Sequence, residues 1–166
     1  MPGVRISEAV ESDLPDIVRL YLELDEKIMS LENAKKNFNQ IKSNPNHKIY
    51  IAKEANEIIG TFAMIFINSF AHDGSPSAIL EDVAVSGKHQ GQGIGKQMMS
   101  FAMERAKEKG CYKIALSSQF KREGAHKFYE SLGFERMGYS FVVELAEKVS
   151  ELLTHQKDKN FFKRYE

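Results

Sequence analysis

Glycine recurs at every second position as Gly91, Gly93 and Gly95, inside the stretch KHQGQGIGKQ. Glycine weakens both strands and helices from within, so three in five residues mark a sharp turn or a close approach to the backbone. The run AILEDVAV before them is strand-forming, and apolar residues after them recur at helical spacing. Such a junction leaves the first N–H groups of the helix unpaired, at the positive end of the helix dipole. A diphosphate can settle on those donors if few side chains intrude. A plain strand-to-helix connection would look the same.

Two common phosphate-loop patterns do not fit. A Walker loop requires glycine five residues before the Gly-Lys pair and Ser or Thr after it. Here those positions hold Gln90 and Gln97. A dinucleotide fingerprint requires G-x-G-x-x-G with an acidic residue about 20 positions on. Here the spacing is G-x-G-x-G and the next strand-like run, YKIALSS, has no acidic tip.

Other residues could carry chemistry. Glu81 and Asp82 are adjacent carboxylates in the strand before the glycines, and strand alternation predicts that they point to opposite faces. Tyr129 lies on a helical stripe with Ala125, Phe128 and Leu132, and a phenol with a pKa near 10 keeps its proton at neutral pH. His47, His89, His126 and His155 show no ligand spacing, so no metal is assigned. Cys111, the single cysteine, rules out an internal disulfide, reads as a small buried hydrophobe and suits a reducing cytoplasm.

The elements that position these residues can be read from periodicity. Residues 4–10 read as a strand, and Ser12 or Asp13 caps a helix with Pro15 in its first turn. Its apolar stripe is Leu14, Ile17, Val18, Leu20, Tyr21 and Leu24. A second helix is predicted over 31–43, then a hairpin turning at 55–57, a strand over 77–85 and a helix over 94–109 closed by Gly110. Strand 112–118, a short helix over 123–132 and strand-like 134–145 follow. The order β-α-α-β-β-β-α-β-α-β implies an α/β (α+β) fold, a mixed sheet flanked by helices. Residues 1–145 read as one domain and 146–166 as a helical tail carrying Val149, Leu152 and Leu153.

With 166 residues, 42% hydrophobic and 28% charged, the chain can bury one ordinary core. Its zero formal net charge argues against nucleic acid or an anionic membrane as the main partner. No signal-peptide pattern opens the sequence, and no apolar run approaches the roughly 18 residues of a membrane span. The expectation is a soluble, cytoplasmic protein.

Gln90-Gly91-Gln92-Gly93-Ile94-Gly95 matches Q/R-x-x-G-x-G/A between a strand and a long helix, and AHKFYESLGFE matches A-x-x-F-Y-x-x-x-G-F. In both, the chain resembles the GNAT superfamily of acetyl-CoA-dependent N-acetyltransferases. The resemblance is carried by Ile79 to Phe134 and, with the order of elements, covers the chain to about residue 145. It implies a central, largely antiparallel mixed sheet and acetyl-CoA as cosubstrate. It also implies direct attack by a small-molecule primary amine in a ternary complex. Gln90, Gly91, Gln92, Gly93, Ile94, Gly95 and Lys96 would hold the pyrophosphate. The backbone of Val83, Ala84 and Val85 would line the pantetheine arm, with an N–H near Val83 polarising the thioester. Tyr129 would be the general acid, if it is not simply core.

Glu81 would be the general base, while Asp82 could instead bind acceptor or serve a partner subunit. The acceptor would enter near Tyr21, Met29, His72, Asp73 and Tyr139. Where many members carry Asn, this chain has Arg122, which could pair with a CoA phosphate or be solvated. Lys121 shares that ambiguity. The region 79–96, with KGCYKIAL, is also similar to glucosamine-6-phosphate N-acetyltransferases, but SSQFKREGA lacks that group's acidic stretch. A protein-amine acetyltransferase and a non-catalytic acyl-CoA-binding regulatory domain are the alternatives. Phe161 and Phe162 could form a homodimer contact.

Overall fold

The structure, a computed structural model, describes residues 3–24 and 29–143. The chain divides into two compact units, 1–133 and 134–166. In the first, five strands form one sheet in sequential order: β1 (Arg5–Glu8), β2 (His47–Glu54), β3 (Glu57–Ile67), β4 (Ser77–Val85) and β5 (Lys113–Leu116). The first four pair antiparallel and β5 joins β4 in parallel. Four helices accompany them: α1 (Leu14–Leu24), α2 (Leu31–Lys42), α3 (Ile94–Glu108) and α4 (Glu123–Ser131).

The sequence explains the layering. Strand β3 reads EIIGTFAMIFI, a nearly continuous apolar run, as suits a central strand covered on both faces. Ile58, Ile59, Phe62, Ala63 and Met64 are all buried. One cluster joins Leu14, Ile17 and Leu20 of α1 and Phe38 of α2 to Ile51, Ile58 and Ala84 of the sheet. Elsewhere Met98, Met99, Ala102 and Ala106 give α3 its buried stripe. The Phe101 ring meets Tyr50 edge-on at 5.2 Å, and Tyr50 stacks on Phe62 at 5.3 Å. Helix α3 also lies close to the sheet at Gly60, where a Cβ would fall 2.7 Å from Met98 Sδ and 3.3 Å from the Ala84 carbonyl oxygen.

Ser30 caps α2, its Oγ accepting from the Asn33 N–H at 3.2 Å. Ser12 or Asp13 was expected as the cap of α1; instead Val10 is the N-cap of a 3₁₀ turn, Glu11–Asp13, that leads into α1, and Asp13 is its third residue. Its buried carboxylate turns back to accept from the Val10 N–H and from Lys53 Nζ, at 2.9 and 2.8 Å. A buried carboxylate needs a counter-charge and donors, and Lys53 on β2 supplies the charge. The carboxylate therefore ties the start of α1 to the sheet.

One expectation changes at the C-terminal end. The strand predicted over 134–145 is absent from residues 134–143, which carry neither strand nor helix. Met137, Tyr139, Phe141, Val142 and Val143 are exposed there, so apolar content alone has not made a ladder. Residues 144–166, including the predicted tail helix, His155, Phe161 and Phe162, lie outside the described residues. Among the described residues no helix is long and apolar enough to cross a membrane.

Overpacking at the closest helix–sheet approach should be felt as lost stability. Gly60→Ala is expected to destabilise the fold by about 1–3 kcal/mol, measured by urea denaturation against wild type.

Candidate active site

The site begins where β4 stops pairing regularly. Toward β3, Ala63 opposes Glu81 and Thr61 opposes Ala84, so Phe62 faces two residues, Asp82 and Val83. This is a β-bulge, and Asp82 takes φ +53°, a left-handed conformation that a non-glycine residue adopts at a cost of about 1–2 kcal/mol. Toward β5, the ladder runs from Ser77–Lys113 only to Leu80–Leu116. Beyond that point β4 carries on without a strand partner on that side among the described residues, and β5 gives way to the loop before α4. The sheet forks.

A cavity of about 450 Å³ occupies this fork. Leu80, Glu81, Asp82 and Val83 line it from β4, and Leu116, Ser117, Ser118 and Gln119 from the end of β5. Arg122, Ala125 and Tyr129 come from the α4 side, Tyr21 from α1, and Met29 from just before α2. Strict alternation predicted that only one of Glu81 and Asp82 could face such a site. Both residues contribute to its lining, as do their neighbours Leu80 and Val83, at the bulge that interrupts the two-residue period.

Charge divides this cavity. Burial pushes the Tyr21 phenol well above its usual range and the Asp82 carboxylate pushes it further, opposed by a hydrogen bond with the Thr61 side chain. Burial also raises the Tyr129 phenol, but there the nearby guanidinium of Arg122 works in the opposite direction. Tyr21 therefore senses the anion at the bulge, and Tyr129 the cation at the start of α4. Tyr129 stays protonated at neutral pH and can donate that proton.

The glycine turn leads into α3, and its three glycines answer to two different constraints. Gly91 and Gly93 have φ of +75° and +83°, and a Cβ on either would meet only open space. They are needed for backbone conformation. Gly95 has no positive φ, but its Cβ would press on the Phe128 ring at 3.0 Å. It is small so that α4 can pack, and the ring it admits belongs to the neighbour of Tyr129, 5.2 Å away centroid to centroid. The turn and the α4 side of the cavity are thus mechanically joined.

Gly93 occupies the N-cap of α3 with no side-chain cap, and the first bond across the helix start runs from the Gln97 N–H to the Gly93 carbonyl. The amides of Ile94, Gly95 and Lys96, in the first turn, precede that bond and have no acceptor within the helix. Gln90 and Gln92 use their side-chain amides within the turn, donating to the carbonyls of Val85 and Lys88. What the turn offers a ligand is mainly backbone. Ile94 is buried in the core, while Lys96 points along a separate shallow hollow with Val4, Gln97 and Glu104.

Of the expected acceptor residues, Tyr21, Met29 and Asp82 meet in the cavity. His72 and Asp73 do not line it; they sit in the turn before β4, where His72 stacks on Tyr112 at 4.1 Å. Tyr139 belongs to the second unit and is exposed. Val83 lines the cavity, whereas the Ala84 side chain belongs to the core and only its backbone is available to the strand edge. Sequence reading did not single out Leu116, Ser117, Ser118 or Gln119. Their position at a strand end before a helix was the available signal. No group of three His, Cys, Asp or Glu side chains suited to a metal occurs among the described residues.

Comparison with known proteins identifies the family. Residues 14–134 match the acetyltransferase (GNAT) family. Two glucosamine 6-phosphate N-acetyltransferases, one from Drosophila melanogaster named as probable and one from Trypanosoma brucei brucei, are 33% and 32% identical over 99 and 87 residues. Those alignments cover 58% and 52% of this chain, which spans only 44% and 57% of the two relatives. The solved structure of a transcriptional regulator from Bacillus halodurans C-125 superposes with a TM-score of 0.78 at 30% identity, covering 86% of this chain and 99% of that one. With the family matched across the sheet fork, the glycine turn and α4, this chain is a member of the GNAT acetyltransferase family.

Proposed function

We propose that the chain transfers an acetyl group from acetyl-CoA to a primary amine of a small molecule, by direct attack within a ternary complex. The observation that carries this reading is the fork itself. Past Leu80 the freed edge of β4 faces a cavity that also holds Glu81, Asp82 and Tyr129, beside a helix start with no side-chain cap. An extended, amide-rich arm ending in a thioester suits such an edge, and its diphosphate suits the turn of Gly91 and Gly93.

Acetyl-CoA supplies the acyl group as a thioester. Glu81 takes the proton that the amine must lose, directly or through water, because a protonated amine has no lone pair for attack. The amine nitrogen bonds to the acetyl carbon as the carbon–sulfur bond breaks. Tyr129 gives its phenolic proton to the departing thiolate. The backbone N–H near Val83 donates to the carbonyl oxygen as charge develops there, an interaction worth about 3 kcal/mol in comparable oxyanion sites. Asp82 and Tyr21 belong to the acceptor side. The two related N-acetyltransferases named for glucosamine 6-phosphate support a sugar-like or similarly small amine over a protein one.

The likeness to a transcriptional regulator favours a second reading, an acyl-CoA-binding domain without transfer. Thiol release from acetyl-CoA, followed with a panel of primary amines, separates the two. Amine-dependent release is expected; binding of acetyl-CoA without release under any amine would leave the regulatory reading.

Within the enzyme reading, Tyr129→Phe should lower kcat by about 10²–10⁴-fold with a smaller change in KM. Burial raises the Tyr129 phenol above its usual value of about 10, so the acid form persists through mild alkali. The kcat profile is therefore expected to show no alkaline fall below about pH 10 from this group, and a wild-type fall near pH 8 that Tyr129→Phe abolishes would contradict the role. Glu81→Gln should lower kcat about 100-fold at neutral pH and Asp82→Asn by less than about 10-fold. The reverse order would move the base to Asp82.

A further inference from the structure

We propose that Arg122, with Ser118, forms a subsite for an anionic group carried by the amine acceptor. The substrate class is then a small primary amine that also bears a phosphate, phosphonate or carboxylate. This inference rests on the acetyl-transfer reading and specifies its acceptor.

The first observation is a separation of charge. Arg122 lines the same cavity as Glu81 and Asp82, yet it enters no ion pair among the described residues. A guanidinium and two carboxylates sharing about 450 Å³ would ordinarily be drawn together. Here the bulge holds one carboxylate near Tyr21, and the start of α4 holds the cation near Tyr129. A cavity with charges of opposite sign on different elements is complementary to a ligand that has both. The amine would face the carboxylates and the anion the guanidinium.

A second, independent observation comes from Ser118. Ser118 lines this cavity, and its Oγ is buried with no hydrogen-bond partner. Of the three such atoms among the described residues, the others being His89 Nδ1 and Arg105 Nε, it is the one whose residue lines the cavity. A buried hydroxyl is normally satisfied, and one left over at a cavity that Arg122 also lines points to an acceptor oxygen supplied from outside. Arg122 is also the N-cap of α4 and offers no side-chain acceptor to the first turn. The amides of Glu123, Gly124 and Ala125 thus add donors, and Gly124 leaves open space where a Cβ would stand. Glu123 is the opposing charge in that turn; it is exposed and does not pair with Arg122.

A phosphate of the cosubstrate could also meet this guanidinium, so the test separates the two sources. Four matched pairs of amines serve as probes: ethanolamine and phosphoethanolamine, propylamine and β-alanine, butylamine and 3-aminopropylphosphonate, glucosamine and its 6-phosphate. The readout is the ratio of kcat/KM within each pair, with the Kd for acetyl-CoA measured on the same samples.

Wild type should favour the anionic member of at least one pair by about 10-fold or more, in KM rather than kcat. Arg122→Gln should bring that ratio close to one, Arg122→Lys should restore part of it, and Ser118→Ala should lower it by a few-fold. An unchanged ratio in Arg122→Gln overturns the subsite, as does a preference for the uncharged member throughout. A rise in acetyl-CoA Kd that accounts for the whole loss overturns it too, and gives the guanidinium to the cosubstrate. If uncharged amines are acetylated and anionic ones are not, the subsite alone fails. If no amine of either kind promotes thiol release, acetyl transfer fails and the subsite falls with it.

Discussion

Pairing between β3 and β4 slips by one residue opposite Phe62, and the geometry of the site depends on that slip. A regular ladder would send Glu81 and Asp82 to opposite faces and give the cavity one carboxylate. The bulge instead accommodates an extra residue and holds Asp82 at positive φ where β4 lines the cavity. The strain is tolerated because the surroundings over-determine it. Phe62 is fully buried, Thr61 is anchored by its hydroxyl to the Tyr50 carbonyl, and Ala84 returns to the core beneath α1.

The fork with β5 is the complementary half of the design. Pairing ends at Leu80 because β5 is only four residues long, and the chain then turns away through Ser117 and Ser118 toward α4. A short edge strand thus leaves open backbone and a cavity at the same place. The glycine turn communicates with this region through packing: without a Cβ on Gly95, Phe128 can lie against α3, and that contact fixes the helix carrying Tyr129. The turn and the proposed proton donor are parts of one packed unit.

Much of this was legible in the amino-acid sequence, for identifiable reasons. Leu14, Ile17 and Leu20 recur at helical spacing and are the residues α1 buries. The polar turn at 55–57 between two β-rich runs marked the β2–β3 hairpin, and the glycine turn fell between β4 and α3 as its flanking patterns required. The bulge was not legible, since register is a property of two strands and Asp82 carries no local signal for positive φ. Ser12 and Asp13 both read as caps because their types suit one, and only the fold reveals Lys53 beside Asp13. In residues 134–143, strand-forming side chains were present without a ladder to join, which propensity alone cannot supply.

The central claim is that the turn through Gly93 and the open edge of β4 together hold acetyl-CoA. Calorimetric titration of acetyl-CoA into wild type and a folded Gly93→Glu variant tests it most directly. A side chain there introduces a negative charge at the uncapped helix start and strains a backbone at φ +83°. Micromolar binding by wild type, weakened about 100-fold or more in the variant, is the predicted result. No binding by folded wild type, or equal binding by both proteins, would contradict it.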